Sequence, residues 1–148
     1  EQIKPMTVHH GGYAPVDRAS QAQLVRELLR QHPRLDFLLG NAEAAGFAAQ
    51  LVQTSGQNYQ ARVLATYTTE RIVEQIRDGF IVAAPTDSPV LQARIAVDLA
   101  VRALEGRAHA RRVSPMIEML DQTSLEQFDM SRLMPPPEHW MIRRELPQ

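Results

Sequence analysis

The sequence contains no cysteine, which excludes disulfide bonds, zinc–cysteine centres and thiol chemistry. Aromatic residues make up only 5% of the chain, and acidic and basic residues nearly balance to a net charge of −1. This balance leaves no positively charged surface of the kind that binds DNA or RNA, so nucleic acid is not an expected partner. The sequence also lacks an apolar run of the length that spans a membrane.

Motifs for nucleotide binding and hydrolysis are missing as well. The chain has no G-x-G-x-x-G, no P-loop and no G-x-S-x-G, and no nucleophile, base and orienting group form a catalytic set. His9 and His10 suggest a metal pair, but adjacent strand residues point to opposite faces and no acidic cluster lies near them. We therefore predict a protein that is not an enzyme and needs no cofactor or metal.

Residues 36–106 contain three successive strand-then-helix units. Each unit begins with a short apolar run, continues through a polar turn and enters a helical pattern. Continuous apolar runs are typical of strands whose sheet is covered by helices. The units are LDFLLGNAEAAGFAAQLV, ARVLATYTTERIVEQIRDG and FIVAAPTDSPVLQARIAVDLAVRALEG. They predict an α/β fold, a three-layer open parallel sheet flanked by helices.

The pattern predicts five strands and four main helices. Turn and capping residues mark the boundaries: Asp17, Thr68 and Ser88 are expected to cap helices, and Pro89 suits a first helical position. The strands are expected at 3–8, 35–39, 63–66, 80–84 and 113–120. The helices are expected at 18–31, 42–53, 69–78 and 89–104.

Polar or aromatic residues follow the predicted strands, where ligands bind in open sheets of this kind. Tyr67 is the leading candidate, because aromatic residues are scarce and this one stands between a strand and a helix start. The alternative is an ordinary half-buried tyrosine. Asn41, Tyr13 and Asp87 occupy the corresponding turns, and Thr68 adjoins Tyr67. Asp87 is equally well explained as part of a helix cap.

With these residues in place, the chain resembles the C-terminal lobe of type I periplasmic binding proteins. The resemblance is carried by LDFLLGNAEAAGFAA, ATYTTERIVEQIRDG and AAPTDSPVLQARIAVDLAVRALEG. Through LATYTTE, that last block and SPMIEMLDQTSL, the chain is similar to the TorT-like branch of the superfamily, over roughly residues 8–137. The implied division is a lobe at 1–120 and a proline-containing tail at 121–148.

The resemblance implies a periplasmic sensor. TorT-like proteins close two lobes on trimethylamine N-oxide, hold its trimethyl group among aromatic side chains, and regulate a TorS-like membrane sensor histidine kinase. By this resemblance, Tyr67 matches the position where the C-terminal lobe contributes an aromatic residue. The expected partners are therefore a small methylated amine and a membrane sensor kinase.

Two other functions remain open. A sugar or polyol binding protein of an ABC transporter usually carries Asn-Asp after the second strand and Asp after the third, where this chain has Asn41-Ala42 and Tyr67. Gln92, however, lies near a glutamine that sugar binders use. The effector lobe of a LacI-type repressor shares the same strand order, and a DNA-binding headpiece upstream would identify it.

The tail and the start of the chain suggest a missing partner. The sequence begins EQIKPMTVHH, and we expect a fragment whose N-terminal lobe is absent. By the same resemblance, residues after about 121 cross the hinge to that lobe. Without it, the apolar tail residues Phe128, Leu133, Met134 and Trp140 are expected to fold back on the sheet or to drive homo-oligomerisation.

Overall fold

The computed structural model of the chain describes residues 5–54 and 59–135. In this part, helices and strands alternate along most of the chain. Their order is α1 (Arg18–Gln31), β1 (Phe37–Gly40), α2 (Ala42–Thr54), β2 (Arg62–Ala65), α3 (Glu70–Arg77), β3 (Ile81–Thr86), α4 (Pro89–Leu104), β4 (Glu118–Leu120) and α5 (Gln122–Leu125), followed by a 3-10 turn at Met130–Arg132.

The predicted α/β fold is confirmed as an open sheet flanked by helices. The strand order is β1-β2-β3-β4, and β1, β2 and β3 pair in parallel. Because parallel crossovers are right-handed, α2 and α3 lie on the same side of the sheet. Their buried side chains meet Leu38, Val63 and Ile81 in the core.

The last strand differs from the prediction in direction and length. β4 pairs with β3 in antiparallel orientation, so the sheet is mixed rather than wholly parallel. The strand covers Glu118–Leu120 instead of the predicted 113–120. Pro115 explains the late start, since proline has no N–H to donate to a sheet ladder.

The predicted first strand at 3–8 is wrong in its described part, because residues 5–10 form no strand. This segment lies along α1 instead. The His9 ring stacks on His32 at a centroid distance of 3.7 Å, and Gly11 lies against Leu28. With Pro5 limiting backbone pairing, side-chain contacts with a helix replace a sheet ladder.

The predicted helix caps at Asp17 and Thr68 differ in outcome. Asp17 caps α1 as predicted, since its Oδ1 accepts the Ser20 N–H at 2.9 Å. The predicted cap of α3 at Thr68 is wrong by one residue, because Thr69 Oγ1 accepts the Ile72 N–H at 3.3 Å. Thr68 is buried and turns toward β3 instead, which explains why it is unavailable as a cap.

Small residues allow α2 to approach the sheet closely. Ala45, Ala48 and Ala49 are buried on its inner face. A Cβ atom at Gly40 would lie 2.8 Å from the Ala44 Cβ and 3.2 Å from the Ala45 backbone nitrogen. Only glycine fits at the end of β1, and this contact fixes where α2 begins.

The two sides of the sheet are filled differently. The core lies on the side of α2 and α3, with α1 packed on α2, where the Arg26 guanidinium lies 4.7 Å from the Phe47 ring centroid. On the other side, Phe37, Leu39 and Met119 are exposed. α4 contains no fully buried residue, and its main contact is the 3-10 turn. No helix in residues 5–54 and 59–135 is both long and apolar enough to cross a membrane.

The described part of the tail packs on this lobe. Leu125 and Leu133 are buried in the core, and Phe128 and Met134 pack against it. Asp121 begins this segment with a capping box, in which its side chain and that of Ser124 satisfy each other's backbone N–H groups. Trp140 lies outside the described residues.

Gly40→Ala is expected to lower the free energy of unfolding by about 1–3 kcal/mol, because the added methyl group overpacks the start of α2. Urea denaturation followed by circular dichroism measures this change. Gly11→Ala is the matched control, since its Cβ would meet only the flexible Leu28 side chain at 3.4 Å. Equal stability of the two variants would contradict the close approach at Gly40.

Leu133→Ala is expected to lower the free energy of unfolding by about 2–5 kcal/mol, because it leaves a cavity in a packed core. Leu104→Ala is the control, since Leu104 is 88% exposed and its loss should change stability by less than about 0.5 kcal/mol. If both variants unfold at the same urea concentration, the tail does not pack on the lobe as the structure shows.

Candidate functional site

The turns after β1, β2 and β3 bring Asn41, Tyr67 and Asp87 to one edge of the sheet, called here the carboxyl edge. Asn41 and Asp87 directly follow their strands, and Tyr67 follows two residues after β2. Neighbouring strands lie about 4.8 Å apart, so the three turns span roughly 10 Å. The expected placement of Asn41 and Tyr67 at the same end of the sheet agrees with this geometry.

Backbone pairing aligns the ends of β1 and β2 at this edge. Gly40 pairs with Ala65, and the Thr66 N–H donates to the Gly40 carbonyl at 2.9 Å. The β2–β3 pair contains a register shift between Val63 and Leu64. The carboxyl edge is therefore built on backbone hydrogen bonds rather than on loop packing.

Asn41 caps α2 through its side-chain oxygen, and its amide nitrogen has no hydrogen-bond partner among residues 5–54 and 59–135. Its Oδ1 accepts the Ala44 N–H at 2.9 Å, and its carbonyl accepts the Ala45 N–H at 2.8 Å. The cap uses the oxygen of the amide and holds the side chain in place. The Nδ2 group is then the part of Asn41 that can donate to a ligand.

Tyr67 stands out from the middle of the carboxyl edge. The residue is 42% exposed and lies two positions after the end of β2. Thr68, beside it, is buried, and its Oγ1 donates to the Pro85 carbonyl over a long 3.4 Å. Thr68 thus ties the β2–α3 turn to β3, and its predicted ligand contact stays a prediction.

Asp87 belongs to the turn between β3 and α4 and is exposed. Its backbone carbonyl accepts a hydrogen bond from the Gln92 side-chain amide at 2.9 Å, which connects the turn to the first part of α4. The Asp87 carboxylate is not the cap of α4, because Ser88 occupies the N-cap position. Gln92, which lies near a glutamine that sugar binders use, therefore adjoins the carboxyl edge.

Tyr13 does not lie in a turn after a strand, which was the basis for predicting it as a ligand-binding residue. No strand precedes it in the described residues, and it lies in the segment along α1 with 92% of its surface exposed. Its ring contacts His10 at a centroid distance of 4.8 Å. The pairing of Tyr13 with the strand-end residues was wrong because the turn after a first strand does not form.

A polar cluster at the same edge was not predicted from the sequence, except that Ser88 was expected as a helix cap. Ser88 accepts a hydrogen bond from Arg132 instead of capping α4 with its side chain. Arg132 also pairs with Glu118 at the start of β4 and stacks on Phe128. We call these four residues the Arg132 cluster. Ser88 lies 44 residues before Arg132, so no local motif indicates the whole cluster.

Four carboxylates have lowered pKa values and serve local structure: hydrogen bonding to Arg30 lowers the pKa of Glu27 on α1 to about 2, and the other three carboxylates cap helices. Hydrogen bonds from the backbone and side chain of Ser124 lower the pKa of Asp121, and those from Ser131 lower the pKa of Asp129. Hydrogen bonds from the backbone and side chain of Ser20 lower the pKa of Asp17 in the same way. All three are caps, and their stabilising effect is lost as pH falls through these lowered values.

Metal binding finds no support in the described residues, where no three histidine, cysteine, aspartate or glutamate side chains are grouped for a metal ion. The His10 ring accepts the Gly12 N–H through Nδ1 at 3.1 Å. A shallow depression of about 750 Å³ lies elsewhere, at the C-terminal end of α3, between Arg77, Gln122 and Phe128. The carboxyl edge instead combines an aromatic ring, an amide donor and a carboxylate, at Tyr67, Asn41 and Asp87.

Residues 14–133 match the model of the family described as periplasmic binding proteins and the sugar-binding domain of the LacI family. The chain belongs to this family. It is a family of binding proteins rather than of enzymes, and its fold agrees with the observed mixed sheet.

Curated relatives include the periplasmic protein TorT of Escherichia coli strain K12, with 28% identity over 118 residues. That match covers 78% of this chain and 33% of TorT. The chain thus spans about a third of the length of this relative.

Solved structures show the same fold. An ABC transporter solute-binding protein from Bradyrhizobium sp. BTAi1 with bound bis-tris has a TM-score of 0.78 and 35% identity, over 86% of this chain and 38% of that one. A complex of TorT with the TorS sensor domain, in the presence of trimethylamine N-oxide (TMAO), has a TM-score of 0.75 and 22% identity, over 83% and 41%.

Proposed function

We propose that the chain is the C-terminal ligand-binding lobe of a periplasmic TorT-like sensor protein. Its ligand is TMAO or a similar small methylated amine, and its partner is a TorS-like sensor histidine kinase. The proposal is supported by the 28% identity to TorT and by the fold shared with TorT in complex with the TorS sensor domain.

The observation that carries the proposal is the position of Tyr67. A half-exposed aromatic ring stands at the end of the middle strand of three parallel strands, where ligands of such sheets bind. A methylated nitrogen with positive charge is attracted to the face of an aromatic ring. In a chain with so few aromatic residues, this ring is the natural contact for the methyl groups.

The neighbours of Tyr67 suit the rest of such a ligand. The oxide oxygen of an amine oxide accepts hydrogen bonds, and Asn41 has its Nδ2 group available at the next turn. The Asp87 carboxylate supplies negative charge on the other side, facing a positively charged nitrogen. The site therefore recognises a polar, partly cationic molecule with an apolar surface.

A second candidate is the solute-binding protein of an ABC transporter that takes up a sugar or polyol. Gln92 favours it, because this side chain adjoins the carboxyl edge and keeps its Oε1 for a hydroxyl group. The structure from Bradyrhizobium sp. BTAi1, at 35% identity, is that of an ABC transporter solute-binding protein with bound bis-tris. Against it stand Tyr67 and Ala42, at positions where sugar binders usually carry aspartate.

The effector lobe of a LacI-type repressor is the third candidate, because the matching family includes that group. The sequence upstream of this lobe distinguishes the candidates. A DNA-binding headpiece indicates a repressor, whereas a secretion signal and a second ligand-binding lobe indicate a periplasmic protein.

The remaining parts of the proposal concern assembly. The N-terminal lobe of the same protein would supply the other half of the ligand site. Where that lobe is absent, apolar surface on this lobe favours homo-oligomers. Exposed Phe37 and Leu39 add to that surface.

We expect this chain to bind TMAO only at millimolar concentration or more weakly, because it offers one of two closing surfaces. Calorimetry should detect no binding below that range, whereas NMR titration should show saturable shifts at the carboxyl edge. Tyr67→Leu should weaken the NMR dissociation constant by about two- to fivefold, the loss of one exposed cation–π contact.

Tyr13→Leu is the matched control and should leave the dissociation constant unchanged, because Tyr13 lies beside α1. A pentose or hexose titrated in parallel tests the transporter alternative. Saturation by the sugar without shifts from TMAO would overturn the proposed ligand, and micromolar calorimetric binding would show that this lobe holds the whole site.

A further inference from the structure

Ser88 has a backbone conformation that needs support. Its φ of 55° and ψ of 65° lie in the left-handed region, and it is the one non-glycine residue with positive φ among the described residues. Such a conformation persists where surrounding contacts over-determine it. Ser88 is fully buried, directly follows Asp87 of the carboxyl edge, and begins α4.

The Ser88 carbonyl accepts the Gln92 N–H at 2.9 Å in the first turn of α4, and two further hydrogen bonds hold the Ser88 amide and hydroxyl. Its N–H donates to Thr86 Oγ1 at 3.2 Å, which is a local contact within the turn. Its Oγ accepts from Arg132 Nη2 at 3.1 Å, and Arg132 lies 44 residues later in the tail. The second contact therefore joins the turn to a distant segment.

Arg132 is itself well fixed. The same Nη2 pairs with the Glu118 carboxylate, and the guanidinium carbon lies 5.0 Å from the Phe128 ring centroid. The Arg132 Nε is buried and has no hydrogen-bond partner in residues 5–54 and 59–135, so stacking and the Nη2 contacts orient the group. Glu118 anchors the group to the sheet, since β4 pairs with the end of β3.

The rest of α4 offers little alternative support. None of its residues is fully buried, and its main contact is the 3-10 turn that contains Arg132. The contact between Ser88 and Arg132 therefore sets the direction of the first turn of α4. It also sets the position of the Asp87 backbone, which directly precedes Ser88.

We propose that Arg132 is a positioning residue for the ligand site, which holds the Asp87–Ser88 turn in its strained conformation and ties that turn to the tail. The part of this proposal that concerns ligand binding by Asp87 rests on the proposed function. Displacement of the tail would release Ser88 and alter the carboxyl edge, so ligand binding and tail position are coupled through one guanidinium group.

Hydrogen exchange of the Ser88 amide in this chain tests the positioning role without any ligand. Arg132→Gln should speed its exchange about tenfold or more, because a hydrogen bond from a charged donor is lost. The Val73 amide in α3 serves as the internal reference for global unfolding, and it should change much less. Equal acceleration at both amides would show that Arg132 acts only on overall stability and would overturn the proposal.

Control variants separate positioning from charge. Arg102→Gln removes the exposed ion pair with Asp98 on α4 and should leave the exchange rate of the Ser88 amide unchanged. Arg132→Lys keeps the positive charge but lacks the planar fork, and should give an intermediate effect. It also serves if Arg132→Gln does not fold. An effect of Arg102→Gln as large as that of Arg132→Gln would contradict the proposal.

Ser88→Gly tests the strain directly, since glycine adopts a positive φ without steric cost. In this background Arg132→Gln should change exchange of the residue 88 amide by less than about twofold, because neither strain nor hydroxyl remains for Arg132 to hold. The same tenfold change in both backgrounds would mean that Arg132 does not act through Ser88.

A titration with ligand distinguishes failure of this proposal from failure of the proposed function. In an NMR titration with TMAO, Arg132→Gln should reduce the shifts at Asp87 and Gln92 while those at Tyr67 remain. If the unchanged chain shows no TMAO shifts, the proposed ligand fails but the exchange results still decide the positioning role. Unreduced shifts at Asp87 and Gln92 would overturn the coupling to ligand.

Discussion

Backbone hydrogen bonds between three adjacent strands that run in the same direction are the constraint on which the rest of this structure depends. They bring the turns after β1, β2 and β3 to one edge, although Asn41 and Asp87 are far apart in sequence. The close approach of α2 at Gly40 then fixes the first of these turns. For the proposed ligand site, this topology means that each turn needs to supply only one suitable side chain.

Much of this arrangement could be predicted from local sequence. Short apolar runs and capping residues were enough to predict β1, β2 and β3 and the helices after them, since these signals act within a few residues. The placement of Asn41, Tyr67 and Asp87 followed from the parallel order. The predicted first strand was wrong because Pro5 and the glycine pair before Tyr13 do not favour a strand strongly. The described part of this segment packs along α1 instead.

Long-range contacts account for what local sequence missed. The direction of β4 depends on a partner strand rather than on its own residues, and proline at 115 shortens it. The Arg132 cluster joins the β3–α4 turn, β4 and the tail, and no spacing of residues indicates such a contact. The tail therefore contributes to both the core, through Leu133, and the carboxyl edge, through Arg132.

The central claim is that the carboxyl edge is where a small methylated amine binds. An isotope-filtered NOE experiment on the chain with TMAO at tens of millimolar, within the weak range expected for a half-site, tests it most directly. The account predicts NOEs from the ligand methyl protons to the Tyr67 ring and the Asn41 side-chain amide. NOEs confined to the depression beside Arg77 and Phe128 would contradict it.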